Sequence, residues 1–188
     1  MKKALLLAAL TAAFGMAQAE PVTYNIDPTH TFVTFEVQHF GTSTARGRVE
    51  KKQGTVVLDR AAKTGKAEIT LDTTSLTTGV GALDGHLKSK DFFNVAEYPT
   101  AQFVGDNFSF DGDKVTAVSG TLTLLGKTLP IKLVATHFNC YQSPFLKREV
   151  CGGDFGATIL RSAYGLNYAL PSVSDSVRLL VQIEAAKQ

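Results

Sequence analysis

The chain has 188 residues, with 19 Lys and Arg against 17 Asp and Glu, 44% hydrophobic residues and no tryptophan. Two of the cations, Lys2 and Lys3, sit in an export-type leader; without it the charges balance at 17 each, which argues against a nucleic-acid partner, since that would want a basic face. Setting nineteen leader residues aside leaves 169, a length that suits one domain.

The leader has the three parts of a secretory signal. Lys2 and Lys3 charge its start, Ala4 to Phe14 is apolar, and Ala17-Gln18-Ala19 is a small-x-small cleavage site. The apolar run is far short of the roughly twenty residues that span a bilayer. The mature chain is expected to begin at Glu20 and to reside in the periplasm. No cysteine lies near the cleavage site to carry an N-terminal lipid anchor.

Beyond the leader the pattern is mostly alternating. Val22, Tyr24 and Ile26 mark a first strand, and Asp27-Pro28-Thr29 a turn. Thr31 to His39 is a second strand, with Val33, Phe35, Val37 and His39 on one face. After a polar turn, Arg46 to Asp59 is long and extended, with a bulge or bend expected at Gly54. A hairpin then leads to Ala67, Ile69 and Leu71 on one face.

The stretch from Leu83 to Pro99 breaks the alternation. Val80, Leu83 and Leu87 follow helical spacing, Asp84 and Lys88 are placed to pair, and Ser89 is placed to cap a second short turn carrying Phe92 and Phe93. The strands resume with Thr100 to Phe110, the Asp111-Gly112 hairpin, Lys114 to Leu125, a turn at Gly126-Lys127, and Leu129 to Asn139 with Ile131, Leu133 and Ala135 on one face. Asp154 to Arg161 is a strand, Ser162 to Ser176 a long loop, and Val177, Leu179, Val181 and Ile183 a closing strand.

About eight strands with short connections imply antiparallel pairing, as a barrel or a sandwich. The absence of tryptophan, two cysteines too close in sequence to staple two sheets, and a helical insert suited to closing one end all favour the barrel. The expected fold is all-β: an antiparallel eight-stranded barrel with a short helical lid inserted in mid-chain. Such a barrel has room for one small or slender ligand.

Cys140 and Cys151 are the cysteines of an exported chain, so a structural disulfide is expected. A metal or redox pair is the alternative, but the spacing is too wide for CxxC chemistry and no histidine stands beside either residue. His30, His39, His86 and His137 show no ligand spacing, so no metal site is expected. His39 and His137 share strand faces with apolar residues, where a hydrogen-bonded core or rim histidine is the ordinary role. There is no GxSxG elbow, P-loop or dinucleotide fingerprint, and Gly152-Gly153 reads as a turn. No catalytic residues are assigned and no enzyme class gains support. The positive feature is apolar: Phe92 and Phe93 on the lid, with Phe35, Phe40, Phe103, Phe108 and Phe155 on the walls, are placed to line a greasy channel.

The segments Tyr24 to His30 and Phe35 to Gly41 resemble the opening signature of the YceI-like proteins. Asp84 to Phe93, closed by Tyr98-Pro99 and Phe103, is similar to the second signature, and Gly120 to Thr123 with Gly126 to Thr128 and Pro130 to the third. Asn139 to Phe155 and the closing Val181 to Ala185 resemble an exported branch of that family. The resemblance implies a lipocalin-like lipid-binding barrel over residues 20–188, holding a polyisoprenoid tail with the head group near the mouth. The tail is then expected against Val33, Phe35, Val37, Phe40, Leu83 and Leu87, against Phe92, Phe93, Phe103 and Phe108, and against Leu122, Leu133 and Phe155.

Leu83 and Leu125 stand where the family often has basic or polar residues, which favours a neutral ubiquinone-type quinone over a polyprenyl phosphate. His39, His86 and Lys88 are the candidate head-group donors. The quinone or a similar lipid is expected as ligand, with no cofactor required. A carrier of this kind makes transient contact with a membrane or a membrane quinone protein, and sequence leaves a homodimer open. The rivals are an enzyme acting on a lipophilic substrate, with His137 the first group to examine, and a protein-interaction module with a solid core.

Overall fold

The computed structural model describes residues 20–188; the expected leader, residues 1–19, lies outside the described residues. The elements in order are β1 (Val22–Ile26), β2 (Phe32–His39), β3 (Ser43–Asp59), β4 (Thr64–Thr77), α1 (Gly81–Lys88), β5 (Thr100–Asp111), β6 (Lys114–Leu124), β7 (Lys127–Gln142), β8 (Glu149–Leu160), a 3-10 turn (Arg161–Tyr164) and β9 (Val173–Lys187). From β2 to β9 each strand pairs antiparallel with its sequence neighbour, and β9 returns to pair with β2. The sheet is therefore closed.

Nine strand segments make eight staves. β1 pairs with the far end of β3 (Val22 opposite Leu58) and with the end of β9 (Tyr24 opposite Lys187). β2 pairs with the near end of β3 (Val33 opposite Val49) and with the middle of β9 (Phe35 opposite Leu179). The two short strands thus lie end to end in one position, broken where Asp27 to Thr31 leave the ladder. Pro28 cannot donate a ladder hydrogen bond, and the Asp27 carboxylate accepts from the Thr29 N–H at 2.8 Å, which turns the chain locally.

Alternation sends apolar side chains inward and charges outward. Ile69, Leu71, Val118, Leu122, Leu133 and Phe155 are buried inside. The intervening positions carry outer-wall ion pairs, including Arg46 on Glu36 at 2.7 Å, Lys66 on Glu68 at 2.5 Å, and Arg48 on Glu50. A transmembrane barrel has the reverse arrangement, an apolar band outside. Among the described residues no helix is long and apolar enough to cross a membrane.

Four local expectations are corrected. His137 does not share the inward face of β7. The β7–β8 register shifts between Ala135 and His137, so Ile131, Leu133 and Ala135 point in before the bulge and Phe138 and Cys140 after it. His137 is left exposed on the outer wall. Gly152-Gly153 is not a turn but lies within β8. A Cβ on Gly152 would come within 2.2 Å of the Ile183 carbonyl oxygen, and one on Gly153 within 2.1 Å of that of His137, so only glycine allows both neighbours this close. Gly54 sits in unbroken register opposite Ile69, and the irregularity in β3 falls earlier, between Val49 and Lys51. Asp84 does not pair with Lys88. Its carboxylate accepts from Thr77 Oγ1 at 2.8 Å and from the Thr78 N–H and Oγ1 at 2.6 Å each.

That last contact explains how an eight-residue helix persists, since isolated helices this short are unstable. Asp84 ties the first turn of α1 to the end of β4. Ser89 closes the other end, its N–H donating to the His86 carbonyl at 3.1 Å. The following turn folds back through the Phe93 N–H, which donates to the Leu87 carbonyl at 2.9 Å.

Cys140 and Cys151 face each other across β7 and β8 and are disulfide-bonded, closing a loop of sequence separation 11. Replacing both by serine is expected to lower the unfolding free energy by about 2–3 kcal/mol, because the open denatured chain regains loop entropy. Urea denaturation of the double variant checks this.

Candidate functional site

The barrel is not filled by its own side chains. It encloses a cavity of about 690 Å³ with an almost wholly apolar wall. That volume lies within the range of roughly 300–1,000 Å³ usual for ligand sites. A protein interior normally leaves few voids larger than a water molecule, so this space has to be built. It exists because eight staves set a diameter wider than the inward side chains span. Small residues on the wall, Ala67 and Ala101 among them, widen it locally.

All thirteen residues assigned to the tail line this cavity. Val33, Phe35 and Val37 come from β2, Phe103 and Phe108 from β5, and Leu122, Leu133 and Phe155 from β6, β7 and β8. Leu83, Leu87, Phe92 and Phe93 close it from the lid, and Phe40 stands at the rim, 62% exposed. Of the three candidate head-group donors, His39 and His86 line the cavity and Lys88 does not.

The lid end is held by aromatic contacts. The Phe93 ring on the lid lies 6.1 Å from that of Phe35 on β2. His86, Phe92 and Tyr168 form a triangle, with centroids 5.0 Å apart for His86–Phe92, 5.3 Å for His86–Tyr168 and 5.2 Å for Phe92–Tyr168. Tyr168 belongs to the loop between the 3-10 turn and β9. The lid therefore has two halves, α1 with its following turn and this loop, meeting at three rings.

The loop hangs on Arg161. This side chain lines the cavity, and the residue is only 4% exposed. Its Nε–H donates to the Ser174 carbonyl at 2.9 Å, Nη1 to those of Leu166 at 2.7 Å and Tyr168 at 2.9 Å, and Nη2 to that of Val173 at 2.9 Å. Burial lowers the guanidinium pKa, and the nearby Asp175 charge opposes that. Asp175 itself is hydrogen-bonded to the Ser162 N–H and Oγ, not to Arg161. Sequence reasoning assigned no role to Arg161 or Tyr168. Strand parity carries a signal for Arg161, since it continues the inward series Phe155, Ala157, Ile159 of β8.

The opposite end is sealed by polar groups. Tyr24, 1% exposed, donates its hydroxyl to Glu149 Oε1 at 2.5 Å, and Arg60 Nη2 reaches both Glu149 oxygens at 3.0 and 2.8 Å. Burial first, and then the Glu149 carboxylate, push the Tyr24 phenol up to about 12. Burial also works against the charged form of Glu149, but the hydrogen bonds from Tyr24 and Arg60 outweigh it and lower its pKa.

The raised Tyr24 value has a defined consequence for stability. The protonated phenol contributes fully below its ordinary value of 10.0, and that contribution is lost as pH rises through about 12. Thermal melts between pH 9 and 12 are expected to fall less steeply for Tyr24→Phe than for the unaltered chain.

One cluster of metal-type donors occurs among the described residues, Cys140, Glu149 and Cys151. Both sulfurs are in the disulfide and the carboxylate is held by Tyr24 and Arg60, so the set offers no free donors. His137, the residue first considered for chemistry, borders a shallow outer-wall hollow and not the cavity.

Comparison with known proteins agrees with this architecture. Protein YceI of Escherichia coli O157:H7 is 32% identical over 192 aligned positions covering all of both chains, as is a UPF0312 protein of Pseudomonas aeruginosa. The fold matches BcnA of Burkholderia cenocepacia with a TM-score of 0.68 at 23% identity, over 85% of this chain and 99% of that one. It also matches a polyisoprenoid binding domain from Saccharophagus degradans, with a TM-score of 0.62 at 17% identity over 89% and 99%. The YceI-like domain family matches residues 24–185, from the first strand of the barrel to the last, and the chain belongs to that family.

Proposed function

We propose that this protein binds an isoprenoid lipid and carries it through the periplasm without chemical change. The tail lies in the barrel and the head group at the lidded mouth, near His39 and His86. A ubiquinone-type quinone is the favoured ligand. The observation that carries this reading is the enclosed apolar cavity of about 690 Å³, capped by a lid of aromatic side chains. The Saccharophagus degradans domain, described as polyisoprenoid binding, supports it from a related fold. An almost wholly apolar wall favours a neutral head over a phosphate.

Energetics favour carriage over permanent capture. Burying a tail of about forty carbons at about 0.8 kcal/mol per methylene amounts to roughly 30 kcal/mol relative to water. Non-covalent affinities saturate near roughly 20 kcal/mol. A lipid drawn from a membrane is already in an apolar phase, so its transfer into the barrel is nearly neutral. Selectivity then rests on cavity shape and on the head group.

The test is organic extraction of protein purified natively from the periplasm, followed by mass spectrometry. A stoichiometric prenylated quinone is expected. A polyprenyl phosphate would keep the carrier and reject the quinone. A lipid-free protein that also refuses added quinone would reject the lipid reading in favour of an interaction module.

A further inference from the structure

The cavity wall is mostly apolar; among its few polar groups, which include His39, Arg46 and His86, Arg161 is the one charged side chain that is buried. A guanidinium has five N–H groups in a fixed plane. Four are used, on the carbonyls of Leu166, Tyr168, Val173 and Ser174, and those four bonds fix the plane of the group. The fifth, on Nη2, has no acceptor among the described residues. No carboxylate bonds to Arg161, since the nearest one, Asp175, is engaged by Ser162. The side chain is thus a charged donor held rigid in a largely dry wall, with one unused N–H. In that setting a single acceptor is worth far more than in water, because no solvent competes for the donor.

We propose that Arg161 is the head-group site of the cavity, its remaining N–H donating to an acceptor oxygen on the head of a prenylated ligand. The assignment rests on the isoprenoid reading above and specifies its head-group chemistry. The acceptor is a quinone carbonyl or a phosphate oxygen, and the same donor serves either. Position supports the role. The Tyr168 carbonyl that Arg161 holds belongs to the residue whose ring meets His86 and Phe92 on the lid. A head group bound here lies beside the loop half of the lid, whose Tyr168 carbonyl Arg161 holds. His86 lines the same region, whereas Lys88 lies off the wall.

The experiment uses matched ligands on the intact protein and on Arg161→Met. The probes are a prenylated benzoquinone labelled with ¹³C at its carbonyls, the same prenyl tail on an oxygen-free arene, and the corresponding prenyl phosphate. Calorimetric titration reads affinity, and infrared difference spectra read the carbonyl stretch. The unaltered protein is expected to bind the quinone about tenfold or more tightly than the arene, as a charge-assisted hydrogen bond predicts, with the carbonyl band moved to lower wavenumber. In Arg161→Met the preference for quinone over arene falls to within about twofold and the band returns, whatever loosening of the lid loop does to both affinities. Phosphate binding tighter than quinone binding would support the site with the other head.

A folded Arg161→Met protein that keeps both the preference and the shifted band overturns the assignment. Where that variant does not fold, the unaltered protein decides alone. Equal binding of quinone and arene overturns the Arg161 role and leaves the lipid reading standing. Binding of no probe overturns the lipid reading and the assignment together.

Discussion

Filling the barrel with Ala67→Phe and Ala101→Phe is expected to reduce prenylated quinone binding by at least about tenfold while the protein still folds. Both alanines lie on the wall of the cavity, on the neighbouring strands β4 and β5. The added rings extend into empty space of about 690 Å³. Overpacking a dense core costs roughly 1–3 kcal/mol because neighbours are forced off their rotamers. Here the rings have room, and stability is expected to hold or rise slightly. The combination is diagnostic. A site on the outer wall would leave binding intact in this variant, and a general loss of structure would lower the melting temperature along with binding. Titration with quinone and a thermal melt on the same sample separate these outcomes.

Glu149→Ala is expected to produce the largest stability loss of any single substitution at the closed end, about 2–3 kcal/mol. Glu149 is the acceptor for the buried Tyr24 hydroxyl and the partner of Arg60. Removing it leaves a buried phenol without an acceptor, which costs roughly 1–3 kcal/mol, and a guanidinium without its anion. Arg60 keeps partial access to water, with about a third of its side chain exposed, so its share is small. For a domain of this size the melting temperature should drop by about 4–12 °C. Adding Tyr24→Phe removes the orphaned hydroxyl and should restore part of the loss. If the double variant is no more stable than Glu149→Ala, the penalty does not come from that phenol.

The fold was legible because alternation is a strong signal when one face of every strand meets an apolar interior. Val33, Phe35 and Val37, or Ala67, Ile69 and Leu71, identify their own inward face without reference to any other strand. The same logic misread His137. A bulge inserts one residue into β7 and reverses parity beyond it, and the residues around Thr136 carry no composition that marks the insertion. Asp84 was misassigned for a related reason. The i to i+4 spacing with Lys88 is visible in sequence, whereas Thr77 and Thr78 become competitors only once β4 delivers them to the start of the helix. Arg161 was readable by parity with Ile159, but an arginine at the end of a strand reads as an exposed cation until the four carbonyls that surround it are in place.

The divided stave ties the first and last strands of the barrel together. The barrel closes only when β9, its last strand in sequence, pairs with β1 and β2, its first; Gln188 even donates its N–H to the Thr23 carbonyl at 3.0 Å. No earlier strand can complete the ring, so closure waits for β9, and pairings this distant in sequence form slowly. A nascent chain of this topology stays open and threadable until β9 has emerged. The lipid compartment comes into being in a single late event, on whichever side of a membrane that event takes place.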